Sequence, residues 1–388
     1  MERIDTVDKT RCTGCTACMD ACRTGAISMK EDENGFLFPY IDEKRCIHCK
    51  FCSIICSEGN AYAGNLLGKQ PLFAYAMKHR DEEIHRTSQS GGVFYALAQA
   101  VIRAGGVVFG AAFLEDFSVA HICVEKESDL YRLQGSKYVQ SDMNSVISQV
   151  KQLLKQNKLV LFSGTPCQCT GVRCACRGYE DTLLLVDLIC HGVPARKLWK
   201  DFLNYSSRKY HGKITKAEFR ISDGSGKGHV ERITVNGKRY TSTTYGQLFY
   251  SHAFFRESCD HCKFRTAGRV GDITLGDWIY GQRSEDVFWE RTGVSQVLVN
   301  TEKGVLWLER IRDSFEVRSL EWKECTQPAL EDEYYCNLNK KEILEIYRQK
   351  GFSVIARRYG HENRAIKFKR RLKKLGGFLG KHFGIRQT

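Results

Sequence analysis

Residues 11–22 read RCTGCTACMDAC and residues 46–56 read CIHCKFCSIIC. Each is a Cys-x2-Cys-x2-Cys-x3-Cys run, comprising Cys12, Cys15, Cys18 and Cys22 in the first and Cys46, Cys49, Cys52 and Cys56 in the second. A [4Fe–4S] cube needs four converging thiolates. Three cysteines spaced by two residues wrap one cube, and the fourth ligand comes from the other run. The spacing therefore assigns Cys12, Cys15, Cys18 and Cys56 to one cluster, and Cys46, Cys49, Cys52 and Cys22 to a second. Zinc sites use pairs of the Cys-x2-4-Cys type, which leaves two identical four-cysteine runs unexplained. Bacterial runs carry proline after the fourth cysteine, whereas Arg23 and Ser57 stand there. Proline is not a ligand, so the departure bears on redox potential and not on binding.

Further along, Cys167 follows the apolar KLVLF (158–162), Cys190 ends LLLVDLIC (183–190), and SCDHCKF supplies Cys259 and Cys262. In a strand–helix–strand unit both loop cysteines reach the carboxyl edge of the sheet, the usual ligand crevice. Four thiols meeting there can hold a third cluster, hold zinc, or simply pack, and the spacing leaves all three open. Cys169, Cys174 and Cys176 fit neither pattern. The SQSGG turn (88–92) opens a helix, and free amides beside glycine suit a phosphate, although Ser-Gly-Gly is also a common simple cap. DGSGKG (223–228) lacks the phosphate-loop spacing and reads as a loose turn.

The elements that must position these groups are legible in outline. A small cysteine-dense module covers 1–60, with the strand-like GFLFPYID (35–42) between its halves. Residues 61–87 read as a linker with one helical piece. A helix opens at Ser90, with Val93, Phe94, Leu97 and Val101 on one face, and Gly105–Gly106 end it before the strand VVFGAAF. A second helix covers about 144–157, with Val146, Val150, Leu153 and Leu154 inward. Strand 158–162, a helix over 168–177 and strand 183–190 then form a unit whose continuous apolar strands predict parallel pairing in a mixed sheet. RITVNGKRYTS (232–242) is a hairpin around Asn236–Gly237. Helices near 196–209, 245–256 and 304–313 complete an α+β (mixed α/β) body, which divides at 88–155, 156–330 and a helical basic tail over 331–388.

Eighteen cysteines without a secretory signal argue for metal or redox use in a reducing cytoplasm, not for a disulfide framework. The net charge of +14 resembles that of a nucleic-acid binder, but nine Lys or Arg and no acid lie from Arg364 onward, so the charge belongs to the tail and no nucleic-acid partner is expected. In that tail Phe368, Leu372, Leu375, Leu379 and Phe383 recur at helical spacing opposite basic residues. Such a helix can rest on an anionic membrane, and Gly376–Gly377 weaken it. No apolar run approaches the ~20 residues of a membrane span, so the expected location is cytoplasmic, with peripheral contact at the inner membrane face.

The ordered motifs HRTSQSGGVF, LQGSKYVQS, VLFSGTPCQ, VDLICHGVP, SCDHCKF and DITLGDW make the chain similar to the coenzyme F420 hydrogenase/dehydrogenase beta-subunit family over roughly residues 1–300. The resemblance implies an FAD-containing iron–sulfur protein, a two-cluster ferredoxin-like domain fused to a mixed-sheet flavin and iron–sulfur domain. By the same resemblance Ser90, Gly91 and Gly92 approach the flavin phosphates, and Lys137 and Tyr138 lie near the cofactor. Gly164, Thr165, Pro166, Cys167 and His191 would line that crevice. Lys137 would favour reduced flavin by charge, and His191 would donate a proton. The implied activity carries electrons from ferredoxin or a similar donor through [4Fe–4S] clusters to FAD, and on to a small-molecule or sugar substrate. Relatives in surface-polysaccharide pathways place that substrate in surface-polysaccharide biosynthesis, and the alternatives are a non-catalytic electron-transfer subunit of a larger complex or a coenzyme F420 oxidoreductase.

Overall fold

The structure is a computed structural model that describes residues 4, 8–58, 67, 69–221, 230–331 and 338–361. The cysteine module repeats its backbone as well as its sequence. Each run curls through two left-handed residues, Gly14 (φ 66°) and Thr16 (φ 64°) in the first, His48 (φ 53°) and Lys50 (φ 59°) in the second. Each then enters one helical turn, Ala17–Asp20 or Phe51–Ile54. Between them β1 (Ile27–Glu31) and β2 (Leu37–Ile41) pair antiparallel, with Ile27 opposite Ile41. Those two isoleucines, Ile4 and Cys18 form a small core against which Cys22, Cys46, Cys52 and Cys56 pack.

The chain next contributes β3 (Phe73–His79), β4 (Val107–Phe113), β5 (Val119–Val124), β6 (Val160–Gly164) and β7 (Leu183–Leu188). After an excursion holding β8 (Ile214–Glu218), β9 (Glu231–Val235) and β10 (Lys238–Ser242), it returns with β11 (Ile273–Asp277), β12 (Ser295–Val299) and β13 (Phe315–Ser319). Eight of these form one mixed sheet in the order β13-β3-β12-β11-β7-β6-β4-β5. Its centre is parallel, with β4, β6, β7 and β11 running together and antiparallel strands outside. Successive residues feed two cores. Phe109, Phe162 and Leu185 face the helices Val146–Lys155 and Pro166–Ala175. Val108, Leu161 and Leu184 face Val93–Arg103 and Glu302–Glu309. Burial on both faces is why these strands are apolar without alternation.

Two boundaries differ from expectation. Residues 73–79, placed in a linker, form β3 between β12 and β13. FAYAMKH has only Ala76 and Met77 fully buried, so its pattern is weak, and its partners lie more than 200 residues later. The division at 155/156 falls inside one sheet, since β4 and β6 pair directly. The described residues up to Arg196, with those from Phe255 to 331, form one compact unit, and residues 197–254 with 338–361 form another. The tail beyond residue 361, and with it the membrane helix, lies outside the described residues, as does the DGSGKG turn.

The second unit holds the sheet β10-β9-β8. Its hairpin turns at Asn236 (φ 47°) and Gly237 (φ 76°), the two positive angles the tight turn requires. Trp199, Phe202, Phe219 and Tyr245 stack with ring centres 4.5–5.5 Å apart. Beside them Glu231 is buried and accepts the Tyr245 amide at 2.7 Å. Burial raises its carboxyl from 4.5 to about 7 against the opposing amide bonds. The folded state thus holds this proton more tightly than the unfolded chain, and stability falls as pH rises from about 4.5 through about 7. The loss amounts to about 3 kcal/mol at most. Glu231→Gln should flatten the fall in thermal midpoint between about pH 5 and pH 8. An unchanged slope would show that the proton lies elsewhere.

Candidate metal centres

The eight amino-terminal cysteines divide between two cavities. One is lined by Cys12, Cys15, Cys18 and Cys56, with Thr13–Ala17, Met29, Phe38 and Pro39. The other is lined by Cys22, Cys46, Cys49 and Cys52, with Ile27, Ile41 and Phe51. Each cavity thus receives the last cysteine of the opposite run, because the two helical turns lie against each other. The surroundings act on individual thiols differently. Burial raises Cys18 well above its ordinary range, and its neighbours Cys15, Cys12, Cys56 and Cys52 raise it further. Cys12 is raised by burial, an effect that the nearby Arg256 charge opposes. At Cys22 a burial cost is outweighed by the Thr24 hydroxyl and by the amides of Ala26, Thr24 and Ile27, and the thiol is lowered. Among the described residues no three His, Cys, Asp or Glu side chains crowd together as ligands of a single ion. The thiols stand around cavities instead.

A third set assembles in the body. Cys167 lies in the first turn of Pro166–Ala175, Cys190 lies two residues past β7, Cys259 ends the turn Glu257–Cys259, and Cys262 follows. Cys167 is raised far above its usual value by burial, relieved by the Thr165 hydroxyl at 3.2 Å and raised again by Cys190, Cys15 and Cys262. Cys190 is pushed to about 12 by burial and then by Cys259 and Cys262. Arg269 pins the later segment to the end of β7, donating to the carbonyls of Phe264 (2.6 Å) and Leu188 (2.8 Å) beside the buried Asp187. Cys169, Cys174 and Cys176 are buried in the core of this face, where Cys169 bonds the Gly164 and Val186 carbonyls.

The first quartet also touches the third. Gly171, one turn beyond Cys167, leaves room where a Cβ would sit 3.4 Å from Cys15 Sγ and 3.2 Å from Ala17. Side chains that sequence reasoning passed over hold the module there. Asp20 accepts the Ile147 amide at 2.9 Å at the start of Val146–Lys155, and Gln140 donates to the Thr13 carbonyl at 3.0 Å. Lys263 reaches the Ser57 carbonyl and Glu58. Arg256 donates to the carbonyls of Cys12 (3.1 Å) and Leu37 (2.8 Å). None has a local signal, since each is an isolated polar residue whose partner is distant in sequence.

The segments expected around a flavin are linked to one another. Gln134 donates to Ser88 Oγ at 3.5 Å, and its carbonyl accepts from Lys137 Nζ at 2.8 Å. Burial lowers Lys137 to about 7. Nearby, His121 is buried and stacked on Phe162, and burial lowers it to about 4. Its Nε2–H donates to the Ser163 carbonyl at 2.9 Å, and its Nδ1 accepts from Ser141, which accepts from Gln168. Gln168 caps Thr165 at the head of the Cys167 helix. His121 thus fastens the loop carrying Lys137 and Tyr138 to the Gly164–Thr165 turn. His191 lies half-buried beyond Cys190, before Gly192, which faces the Phe255 ring. At the SQSGG turn the helix cap is Gly92 (φ 84°) and not Ser90. Ser90 Oγ is buried without a hydrogen-bond partner. Gly91 serves close packing, because a Cβ there would lie 1.9 Å from the Met77 carbonyl oxygen.

Residues 157–323, which run from β6 past β13 and include the third cysteine set, match the family model for the C-terminal region of the coenzyme F420 hydrogenase/dehydrogenase beta subunit. Over that stretch the chain is similar to this beta-subunit family. Ahead of that region, residues 11–60 match the 4Fe–4S dicluster domain and contain all eight cysteines of the two runs. Over 50 residues the chain is 42% identical to an uncharacterized ferredoxin of Methanocaldococcus jannaschii, a stretch covering 13% of this chain and 64% of that ferredoxin. Among solved structures, the xenon-derivatized F420-reducing [NiFe] hydrogenase complex from Methanosarcina barkeri is similar at 18% identity and a TM-score of 0.47, covering 64% of this chain and 82% of that one.

The packing of Gly91 sets a direct test. Gly91→Ala should lower the thermal midpoint, at a cost of about 2–4 kcal/mol for a clash against backbone, with iron content per folded chain unchanged. An undiminished midpoint would show that the turn can move away from Met77.

Proposed function

We propose that the protein is an iron–sulfur flavoprotein oxidoreductase that accepts single electrons from a ferredoxin-like carrier and reduces a small-molecule substrate. The observation that carries the reading is the contiguity of the three cysteine sets. Cys52 of the second quartet neighbours Cys18 of the first, and Cys15 of the first neighbours Cys167 of the third. The donor set fits [4Fe–4S] clusters, with four thiols around each amino-terminal cavity whose protons a bound cluster would replace. Such clusters supply one-electron transfer, and a bound flavin supplies the change from single electrons to electron pairs.

The residues divide this work by exposure. Cys49 is exposed, and Arg23, Lys50 and Ile47 (66% exposed) lie exposed around its cavity. A basic rim with an apolar patch suits an acidic carrier, so electrons would enter there. Cys12, Cys15, Cys18 and Cys56 stand in the middle, and Cys167, Cys190, Cys259 and Cys262 close the series. For the flavin, the buried, unpartnered Ser90 hydroxyl and the Lys137 ammonium are the polar groups that would hold an anion, and His121 fixes the Lys137 loop. Gly91 has no share in this, being filled by Met77. His191, beyond Cys190, is the candidate to deliver a proton to substrate.

Anaerobic reconstitution followed by iron, sulfide and flavin analysis tests the assignment. Complete protein should hold about twelve irons and one FAD, and Cys15→Ala should lose about four irons. Cys262→Ser should keep the eight amino-terminal irons and the flavin, yet lose flavin reduction by reduced ferredoxin. Zinc in place of iron would overturn the cluster reading. A fully metallated protein that never takes up FAD would overturn the flavin reading.

A further inference from the structure

Arg256 is 1% exposed, an extreme burial for a permanent cation. Three acceptors meet its guanidinium: the carbonyls of Cys12 (3.1 Å) and Leu37 (2.8 Å), and Gln140 Oε1 (3.3 Å). Phe36 and Phe38 flank it, with ring centres 5.1 and 4.8 Å away. No carboxylate forms an ion pair with it among the described residues. The acidic groups in its field are chiefly thiols, Cys12, Cys259 and Cys167, with Asp32 after them. Nε is buried with no acceptor. Its backbone is committed too, because the Arg256 carbonyl accepts the Cys259 amide at 2.9 Å. A single residue therefore bonds the main chain of a first-quartet cysteine through its side chain and that of a third-quartet cysteine through its backbone.

We propose that Arg256 is the positioning residue that couples the first amino-terminal quartet to the quartet in the body, holding the two in register and biasing both toward the reduced state by its charge. The inference rests on the cluster reading above. The step it serves moves one electron. A cluster that Cys12, Cys15, Cys18 and Cys56 would hold would give up one electron, and one that Cys167, Cys190, Cys259 and Cys262 would hold would take it up. No bond is made or broken, and Arg256 keeps its proton throughout. Reduction adds a negative charge to a centre, and a buried cation beside it stabilises that charge more than the same cation would in water. Because the charge lies near cysteines of both sets, it shifts both equilibria in the same direction. The fork matters separately, since one planar guanidinium spans two carbonyls that a lysine can only reach one at a time.

Arg256→Met and Arg256→Lys in the full, anaerobically reconstituted chain separate the two contributions. In Arg256→Met the iron should remain near twelve per chain. An EPR-monitored titration should show the reduction equilibrium of both centres lowered about tenfold, which is 59 mV for one electron. Arg256→Lys should return the midpoints to within a small fraction of that shift, while electron transfer from the amino-terminal centres to the body, followed by stopped flow, stays slow. Midpoints unmoved in Arg256→Met with its iron retained would overturn the proposal, as would a Lys variant displaced as far as the Met variant. If Arg256→Met fails to assemble its iron, the Lys variant decides alone: unmoved midpoints with slowed transfer support the coupling role, and shifted midpoints or an unslowed rate overturn it. An unsubstituted chain that takes up no iron would refute the cluster reading itself, a different failure.

Discussion

The approach of Cys15 to the helix Pro166–Ala175 governs the organisation of this protein. Gly171 is the residue that lets the cysteine module come this near, and Cys167 lies one helical turn away on the same element. A module that packed a few ångströms farther out would separate the first cysteine set from Cys167. Packing of this kind is unforgiving, because close-packed interiors leave no slack. The residues around the contact secure it with directed bonds: Asp20 caps the neighbouring helix, Gln140 and Arg256 hold the first cysteine loop, and Lys263 holds the second.

Burial carries a cost that the same arrangement answers. Cys18 and Cys167 sit where a thiolate is strongly disfavoured, and Cys190 is pushed to about 12. A metal centre offsets that cost by supplying cations in place of protons, which links occupancy of the sites to the stability of the loops that form them. Arg256 and Arg269 are two of the buried arginines of the region, alongside Arg265 and Arg173. Arg269 has a carboxylate partner in Asp187 at 3.4 Å and acts on the backbone beyond β7. Arg256 has carbonyls, an amide oxygen and thiols, which leaves its charge available to the centres beside it.

Several positions singled out in the sequence have a structural part of their own. The glycines of SQSGG are needed, but Gly91 is needed for the Met77 carbonyl and Gly92 for a left-handed cap. The crevice at the carboxyl edge of β6 and β7 is organised by His121, a residue that looks like one polar position in the alternating strand VAHICV. Cys169, Cys174 and Cys176, without a role in any spacing rule, are buried parts of the core on the face that meets the module.

The sequence by itself determined whatever depends on short spacing. Two four-cysteine runs must curl their own backbone to converge, so their pairing across two cavities was legible from residues 12–56. β6, the Pro166–Ala175 helix and β7 were legible because strands buried on both faces are apolar throughout, and the Asn236–Gly237 turn because few residue pairs adopt its angles. Tertiary structure decided the rest. β3 carries a weak pattern and becomes a strand only because β12 and β13, from the far end of the chain, supply its hydrogen bonds. Cys167 and Cys190 could be placed at one edge by topology. Whether Cys259 and Cys262 joined them depended on Arg269 reaching the end of β7. The coupling of the module to the body rests on Arg256, which in sequence is one arginine among many. Its role arises from a low-dielectric position between distant segments, and no local pattern records a distance that only the folded chain creates.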